Sequence, residues 1–243
     1  MKKITIAFSI FIFSQSLYSQ SWLDVGARGA YGVGFLVNKN FYNDRNFAPK
    51  LSYGYMYGGK IGINFNEEHA VTIDVTSSAF DQSFTYSLDS NKTNYLRSIG
   101  FNATNFLLMY RRSVNSSYFE IGPQFSMINK TRGSDNLTQT KNIDISENLV
   151  KSYVSAVMGF GGYIMGTENF GVTLGCRISY SLNDIISVTG QQSDFPSIKR
   201  YEVYKSSNPL TAMMMIGFDY DVGYFTKTRC KKKKTRFMLF SNG

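Results

Sequence analysis

The side chains able to do acid–base, nucleophilic or metal chemistry are few and poorly grouped. The one histidine, His69, follows Glu67 and Glu68 in a short polar turn. A hydrolytic triad needs an imidazole beside a nucleophile and an orienting acid. Zinc needs several nitrogen or sulfur ligands, and one histidine with two cysteines, Cys176 and Cys230, cannot supply them. His69 reads as a solvated turn residue and the cysteines as unpaired thiols. Carboxylates pair at Glu67-Glu68 and at Asp219 with Asp221, where general-acid work would need a companion group that the neighbouring sequence lacks. The glycines fall at alternate positions of strand-like segments and form no phosphate-cradling loop. No metal, cofactor or enzymatic activity is expected, although a hydrolase built on Asp and Ser alone stays open.

Strands must position these residues. From 51 to 65 the odd positions read Leu51, Tyr53, Tyr55, Tyr57, Gly59, Ile61, Ile63 and Phe65, and the even positions are mostly Ser, Gly, Lys and Asn. That is a strand with two unlike faces. The same period of two marks 22–37, 69–86, 96–111, 118–128, 153–165, 170–182 and 211–224, predicting eight strands. Two are imperfect: the third changes phase near Ser77, and the fourth near Asn105, where 106–109 is apolar on both faces. Either a β-bulge or a misplaced boundary accounts for them. Connections alternate between tight turns (66–68, 113–116, 166–169) and long polar segments (38–50, 87–95, 129–151, 183–208). This rhythm predicts an all-β, eight-stranded antiparallel up-and-down transmembrane β-barrel, with short periplasmic turns, long extracellular loops and both termini on the short-turn side.

Composition agrees. With 243 residues, 43% hydrophobic and 16% aromatic, the chain is too apolar for disorder, and two cysteines exclude a disulfide scaffold. The charged fraction of 18% is below the ~25% of a soluble domain. The net charge of +9 sits at the ends: Lys2, Lys3, and seven cations from Lys227 to Arg236. The body is neutral, so nucleic acid is not an expected partner. Met1-Lys2-Lys3, the apolar run 4–13 and the polar run 14–19 have the anatomy of a signal peptide over 1–19, cleaved before Gln20. The run is too short to cross a bilayer as a helix. The barrel then occupies 20–225 and a basic periplasmic tail 226–243, read as a solubilising extension, with contact to anionic head groups as the alternative.

The polar faces are mostly Gly, Ser, Thr and Asn, which suit a narrow lumen, so the apolar faces with their Tyr and Phe are assigned to lipid. The predicted lumen carries Asp24, Arg28, Lys60, Asp74, Glu120, Arg177, Asp219 and Asp221. Charges so confined need partners, and an ion-pair network is expected. It either plugs the barrel or lines a conduction path; eight strands favour the plug.

Ser98 to Arg112, ending in Phe106-Leu-Leu-Met-Tyr-Arg-Arg112, then a turn and Tyr118-Phe-Glu-Ile-Gly-Pro123, resembles the PorT-like, "porin family" outer-membrane β-barrel proteins of Bacteroidetes-type bacteria. The Ser19-Gln20 junction and Val157-Met-Gly-Phe-Gly-Gly-Tyr163 fit the same pattern. The resemblance implies residence in the cell outer membrane, contact with its lipid, and passage through its insertion machinery. The chain departs from the family in carrying a basic tail after its last strand. The expected role is a monomeric surface or envelope interaction or structural protein with a plugged polar lumen and an extracellular ligand on its long loops. A narrow pore for small solutes and an accessory part of a protein-secretion system are the alternatives.

Overall fold

In the computed structural model, the described residues are 21–44, 46–87, 94–167, 169–197 and 200–224. The signal peptide and basic tail expected at the two ends, with Cys230, lie outside them. Ten strands run in chain order: β1 (Trp22–Val37), β2 (Phe47–Lys50), β3 (Ser52–Asn64), β4 (His69–Tyr86), β5 (Tyr95–Val114), β6 (Ser117–Asp135), β7 (Thr140–Ile143), β8 (Ser152–Gly166), β9 (Phe170–Ser181) and β10 (Asn208–Tyr224). Two five-residue helices, α1 (Lys39–Asn43) and α2 (Val188–Gln192), lie in long loops.

Eight long strands close a ring. Each of β1, β3, β4, β5, β6, β8, β9 and β10 pairs antiparallel with the next, and β10 returns to β1. The chain is a closed up-and-down barrel. The two short strands lie outside the ring, β2 on the far end of β4 and β7 on β6. Among the described residues no helix is long and apolar enough to cross a membrane.

Side-chain alternation sorts the two faces. In β3, Tyr53, Tyr55, Tyr57, Ile61 and Ile63 face out, while Ser52, Gly54, Met56, Lys60 and Gly62 are buried in the lumen. An apolar belt girdles the ring. Tyr31, Ile61, Ile73, Leu108, Ile121, Met158, Leu174 and Ile216, one from each ring strand, are 42 to 60% exposed.

The two suspected phase changes are not bulges. β4 keeps one register with β5 from His69 to Tyr86, with even-numbered residues inward throughout. What changes is composition: beyond Ser77 the outward residues become mostly polar (Asp81, Ser83, Thr85) and the inward ones mostly aromatic (Phe80, Phe84, Tyr86), because the strand leaves the belt and enters an apolar cap at the long-loop end. In β5 the odd residues face inward throughout. Leu107 and Met109 pack inside with Val157, while Phe106 and Leu108 join the belt. The real irregularities are elsewhere. The β5–β6 ladder skips Asn129, β8–β9 skips Ile164 and β1–β10 skips Val222. The fifth predicted strand also runs on from residue 128 to Asp135, so part of the expected third loop is strand.

Candidate functional site

Eight buried charges fill the lumen toward the short-turn end, each no more than seven residues from that end of its strand. They alternate in sign along one connected path. Lys60 Nζ lies 2.8 Å from Asp24 Oδ2 and 2.9 Å from Asp219 Oδ1. Arg111 joins Asp219 to Glu120, with Nη1 3.7 Å from Asp219 Oδ2 and Nη2 3.0 Å from Glu120 Oε2. Arg177 then links Glu120 to Asp74, Nη2 standing 2.5 Å from Glu120 Oε1 and 3.0 Å from Asp74 Oδ2. Arg28 closes the path with Nε 3.4 Å from Asp74 Oδ2. All eight residues are at most 5% exposed. Every carboxylate has a cationic nitrogen within 3.0 Å, so none is left as a free general acid or base.

Seven of these eight were among the predicted lumen charges; Arg111 was not. Its signal lay in the alternation, since Phe106, Leu108 and Tyr110 facing out require Arg111 to face in. Its guanidinium also sits over the Tyr118 ring, 4.2 Å from the centroid. Asp221, expected in the same network, is engaged at the rim, where its Oδ1 accepts from the Trp22 indole N–H at 3.0 Å.

Glycine makes the room. β8 contributes no charge, and a Cβ on its Gly159 would stand 2.8 Å from both Cγ and Oε1 of Glu120. A Cβ on Gly62 would stand 2.0 Å from Asp24 Oδ1. Close approach by a buried side chain, rather than unusual backbone geometry, requires glycine here.

Above the charges lies a polar layer. Asn105 Nδ2 donates to Ser78 Oγ (2.9 Å) and Gln124 Nε2 to Ser126 Oγ (2.8 Å). Arg177, Asn105, Gln124, Met213, Phe80 and Tyr153 are among the residues lining a cavity of ≈ 40 Å³, room for about two or three waters.

The long-loop end is apolar, which corrects the expectation of a polar lumen throughout. Fourteen buried side chains form one core. Inward residues from four ring strands, Leu36, Phe84, Phe101 and Tyr153 among them, meet loop residues Phe41, Phe47, Ile145, Leu149, Ile185 and Ile186. The loops fold inward because they carry these apolar residues between their polar ones. The Leu149–Ile186 bridge ties the third long loop to the fourth. Phe47 stacks on Phe84 at 4.7 Å and 24°.

Polar latches hold this lid. Asp184 accepts from the Ile186 and Ser207 N–H groups, both at 3.0 Å, and from Tyr204 Oη at 2.5 Å. Asn38 caps α1 at the Asn40 N–H and donates to the Lys205 carbonyl at 2.7 Å. Arg97 donates to Asp135 (2.8 Å) and to the Pro196 carbonyl (2.8 Å), and Tyr86 Oη donates to Asp135 (2.6 Å). Burial works to raise the Asp135 carboxyl, but donation from Tyr86, Arg97 and the Leu137 N–H holds it below its usual value. Burial and the Asp135 carboxylate push the Tyr86 phenol well up. Sequence reading missed these latches, since polar residues scattered over loops and strand ends carry no periodicity.

The remaining chemically capable residues are dispersed. His69 begins β4 on the outside of the short-turn rim, its Nδ1 2.6 Å from Tyr110 Oη. Glu68 Oε2 stands 4.0 Å from both His69 Nε2 and Arg112 Nη2. Cys176 lies on the outward face of β9, half-buried, with a free thiol.

No family model and no curated protein matches the sequence. Solved structures similar to this chain include Neisserial surface protein A, 12% identical with a TM-score of 0.40, covering 82% of this chain and 96% of that one. The outer-membrane protein OprG from Pseudomonas aeruginosa is 12% identical with a TM-score of 0.40, covering 85% and 98%. The N-terminal β-barrel domain of Pseudomonas aeruginosa OprF is 14% identical with a TM-score of 0.36, covering 83% and 98%. The assignment of this chain as a closed antiparallel β-barrel rests on its own ring of strand pairings.

Proposed function

We propose that the chain is an outer-membrane barrel with a closed lumen, acting through its loop-bearing surface as an envelope interaction or structural protein rather than as a catalyst. The belt supports the membrane reading. On β3 the outward face is apolar or aromatic from Tyr53 to Ile63, about 33 Å along the strand and about 25 Å along the axis at the usual tilt, with its three tyrosines at the headgroup end of the band. An exposed apolar girdle that passes through all eight ring strands is incompatible with water, since soluble monomers expose patches of only a few hundred Å². The export signal read at 1–19 supports the same compartment, and the alternation of short turns and long loops supports a reading with the turns in the periplasm and the loops outside. Closer kinship with the PorT-like barrels rests on the wording of residues 98–128.

The single observation that carries the closed reading is the double seal, a charge-neutral ion-pair path at one end and a fourteen-residue apolar core at the other. A solute path would have to break both. The test is fractionation with heat-modifiable electrophoretic mobility, followed by protease treatment of intact cells. A heat-modifiable band in the outer-membrane fraction, clipped only within the long loops, is expected. A soluble protein, or cleavage at the turn 66–68 in intact cells, would overturn compartment or orientation.

A further inference from the structure

Above the belt the wall is lopsided. β4, β5 and β6, of 18, 20 and 19 residues, rise past Val75, Phe106 and Met127, where the outward apolar run of each ends. β8 starts at Ser152 and β9 stops at Ser181, level with the belt. The outward face of the raised part is made of small or polar residues, Ser77, Ala79, Asp81, Ser98, Gly100 and Asn102, with Leu96 at its upper end. It is also flat, because its longer side chains lie sideways and bind one another. Arg132 Nη2 meets both oxygens of Asp81 at 2.7 Å, and its Nη1 donates to Asn102 Oδ1 at 3.0 Å. They cross Gly100, where a Cβ would stand 2.1 Å from Asp81 Oδ1. Lys130, exposed, projects from the same face of β6.

Beside this shelf stands a cluster of tyrosines. Tyr31, Tyr53, Tyr55 and Tyr57 are 49 to 60% exposed. Tyr31 stacks with Tyr53 at 6.0 Å and 8°, and Tyr55 with Tyr57 at 6.3 Å and 13°. An interfacial girdle spreads aromatics around a barrel at one level. Here four are gathered on neighbouring strands and climb along β3, pairing directly onto the shelf at Tyr57–Ser77 and Tyr55–Ala79.

We infer that this face, the Tyr31/Tyr53/Tyr55/Tyr57 cluster with the polar β4–β5–β6 shelf and Lys130, docks the phosphorylated saccharide headgroup of an outer-leaflet glycolipid. A sugar ring offers an apolar face to stack on tyrosine and hydroxyls to meet Ser77, Ser98 and Asn102. A phosphate is met by Lys130 and by the outer edge of Arg132. The occupant follows from continuity, since the shelf stands directly on the belt and whatever lies against it is the headgroup layer of the lipid around that belt. The inference rests on the outer-membrane reading given above.

The test is to fold the full chain into phosphatidylethanolamine/phosphatidylglycerol vesicles with and without a diphosphorylated glucosamine-disaccharide lipid (lipid A), extract it gently, and count retained lipids by native mass spectrometry. Wild type is expected to retain the disaccharide lipid in preference to phosphatidylglycerol. Lys130→Glu should weaken retention by about tenfold, the worth of one charge-assisted contact, and the Tyr55→Leu/Tyr57→Leu pair by about tenfold through lost ring stacking. Tyr180→Leu on the opposite wall should leave it unchanged. A dephosphorylated disaccharide lipid should lose the Lys130 dependence and keep that of the tyrosines. Equal retention by all variants, or no preference over phosphatidylglycerol, would overturn the inference while heat-modifiable insertion left the membrane reading standing. Failure of every variant and wild type to insert would overturn that reading and the inference with it.

Discussion

Arg177 and Glu120, brought together from β9 and β6, meet with two guanidinium nitrogens on one carboxylate oxygen: Nε at 3.0 Å and Nη2 at 2.5 Å from Oε1. Glu120 is fully buried and Arg177 is 4% exposed, so neither charge has water to fall back on. The pair stands at the middle of an alternating path whose charges cancel, and the strength of that path lies in its balance.

Removing one member should therefore cost more than removing two. Arg177→Met leaves the lumen one positive charge short and is expected to destabilise the barrel by about 3–5 kcal/mol. Adding Glu120→Gln should restore more than half of that loss. Urea unfolding of the vesicle-inserted protein, followed by gel mobility, measures both; additive losses would refute the coupled path.

Glycines divide by what they face. Gly159→Ala drives a Cβ to within 2.8 Å of Glu120 and should cost about 1–3 kcal/mol by overpacking. On the outward face of β3, a Cβ at Gly59 meets nothing nearer than 3.7 Å. Gly59→Ala should stay within about 0.5 kcal/mol of wild type in the same assay.

Inward and outward positions on β10 offer a direct comparison. Ile216 is outward and 42% exposed, and Asp219 is inward and 5% exposed. Ile216→Lys should cost about 2–4 kcal/mol near mid-bilayer. Asp219→Glu should be tolerated better than Asp219→Leu, which leaves Lys60 and Arg111 short of an acid. Indistinguishable effects would reverse the face assignment.

Acid should loosen the lid before the barrel. Asp135 is held below its usual value, so its contribution is complete above the unfolded carboxyl value of about 3.9 and fades as pH falls from there through the lower folded value. Proteolysis or hydrogen exchange in residues 183–197 should accelerate over that acid window. Asp135→Asn should make exchange fast at neutral pH and remove the acid dependence; an unchanged profile would detach Asp135 from the lid.

Much of this fold was legible because membrane strands write their two environments into alternate residues. The ring, its turns and seven of the eight central charges follow from period two. Arg111 escaped because Leu107 and Met109, inward and apolar, blurred the lumen face beside it. The supposed phase change at Ser77 has a related origin. Alternation reports the contrast between faces, and above the belt the contrast inverts while the register holds. The lid was illegible for a different reason, since Phe41, Phe47, Ile145 and Ile185 are isolated apolar residues in polar loops, and only the folded loops bring them onto Phe84 and Phe101.

The most direct test of the closed barrel is single-channel conductance of the refolded chain in a planar bilayer, with insertion confirmed by heat-modifiable mobility. The double seal predicts an inserted but electrically silent protein across the usual voltage range. Steady, discrete openings by the wild-type chain would contradict it, and would make the charge path from Asp24 to Arg28 the selectivity element of a pore.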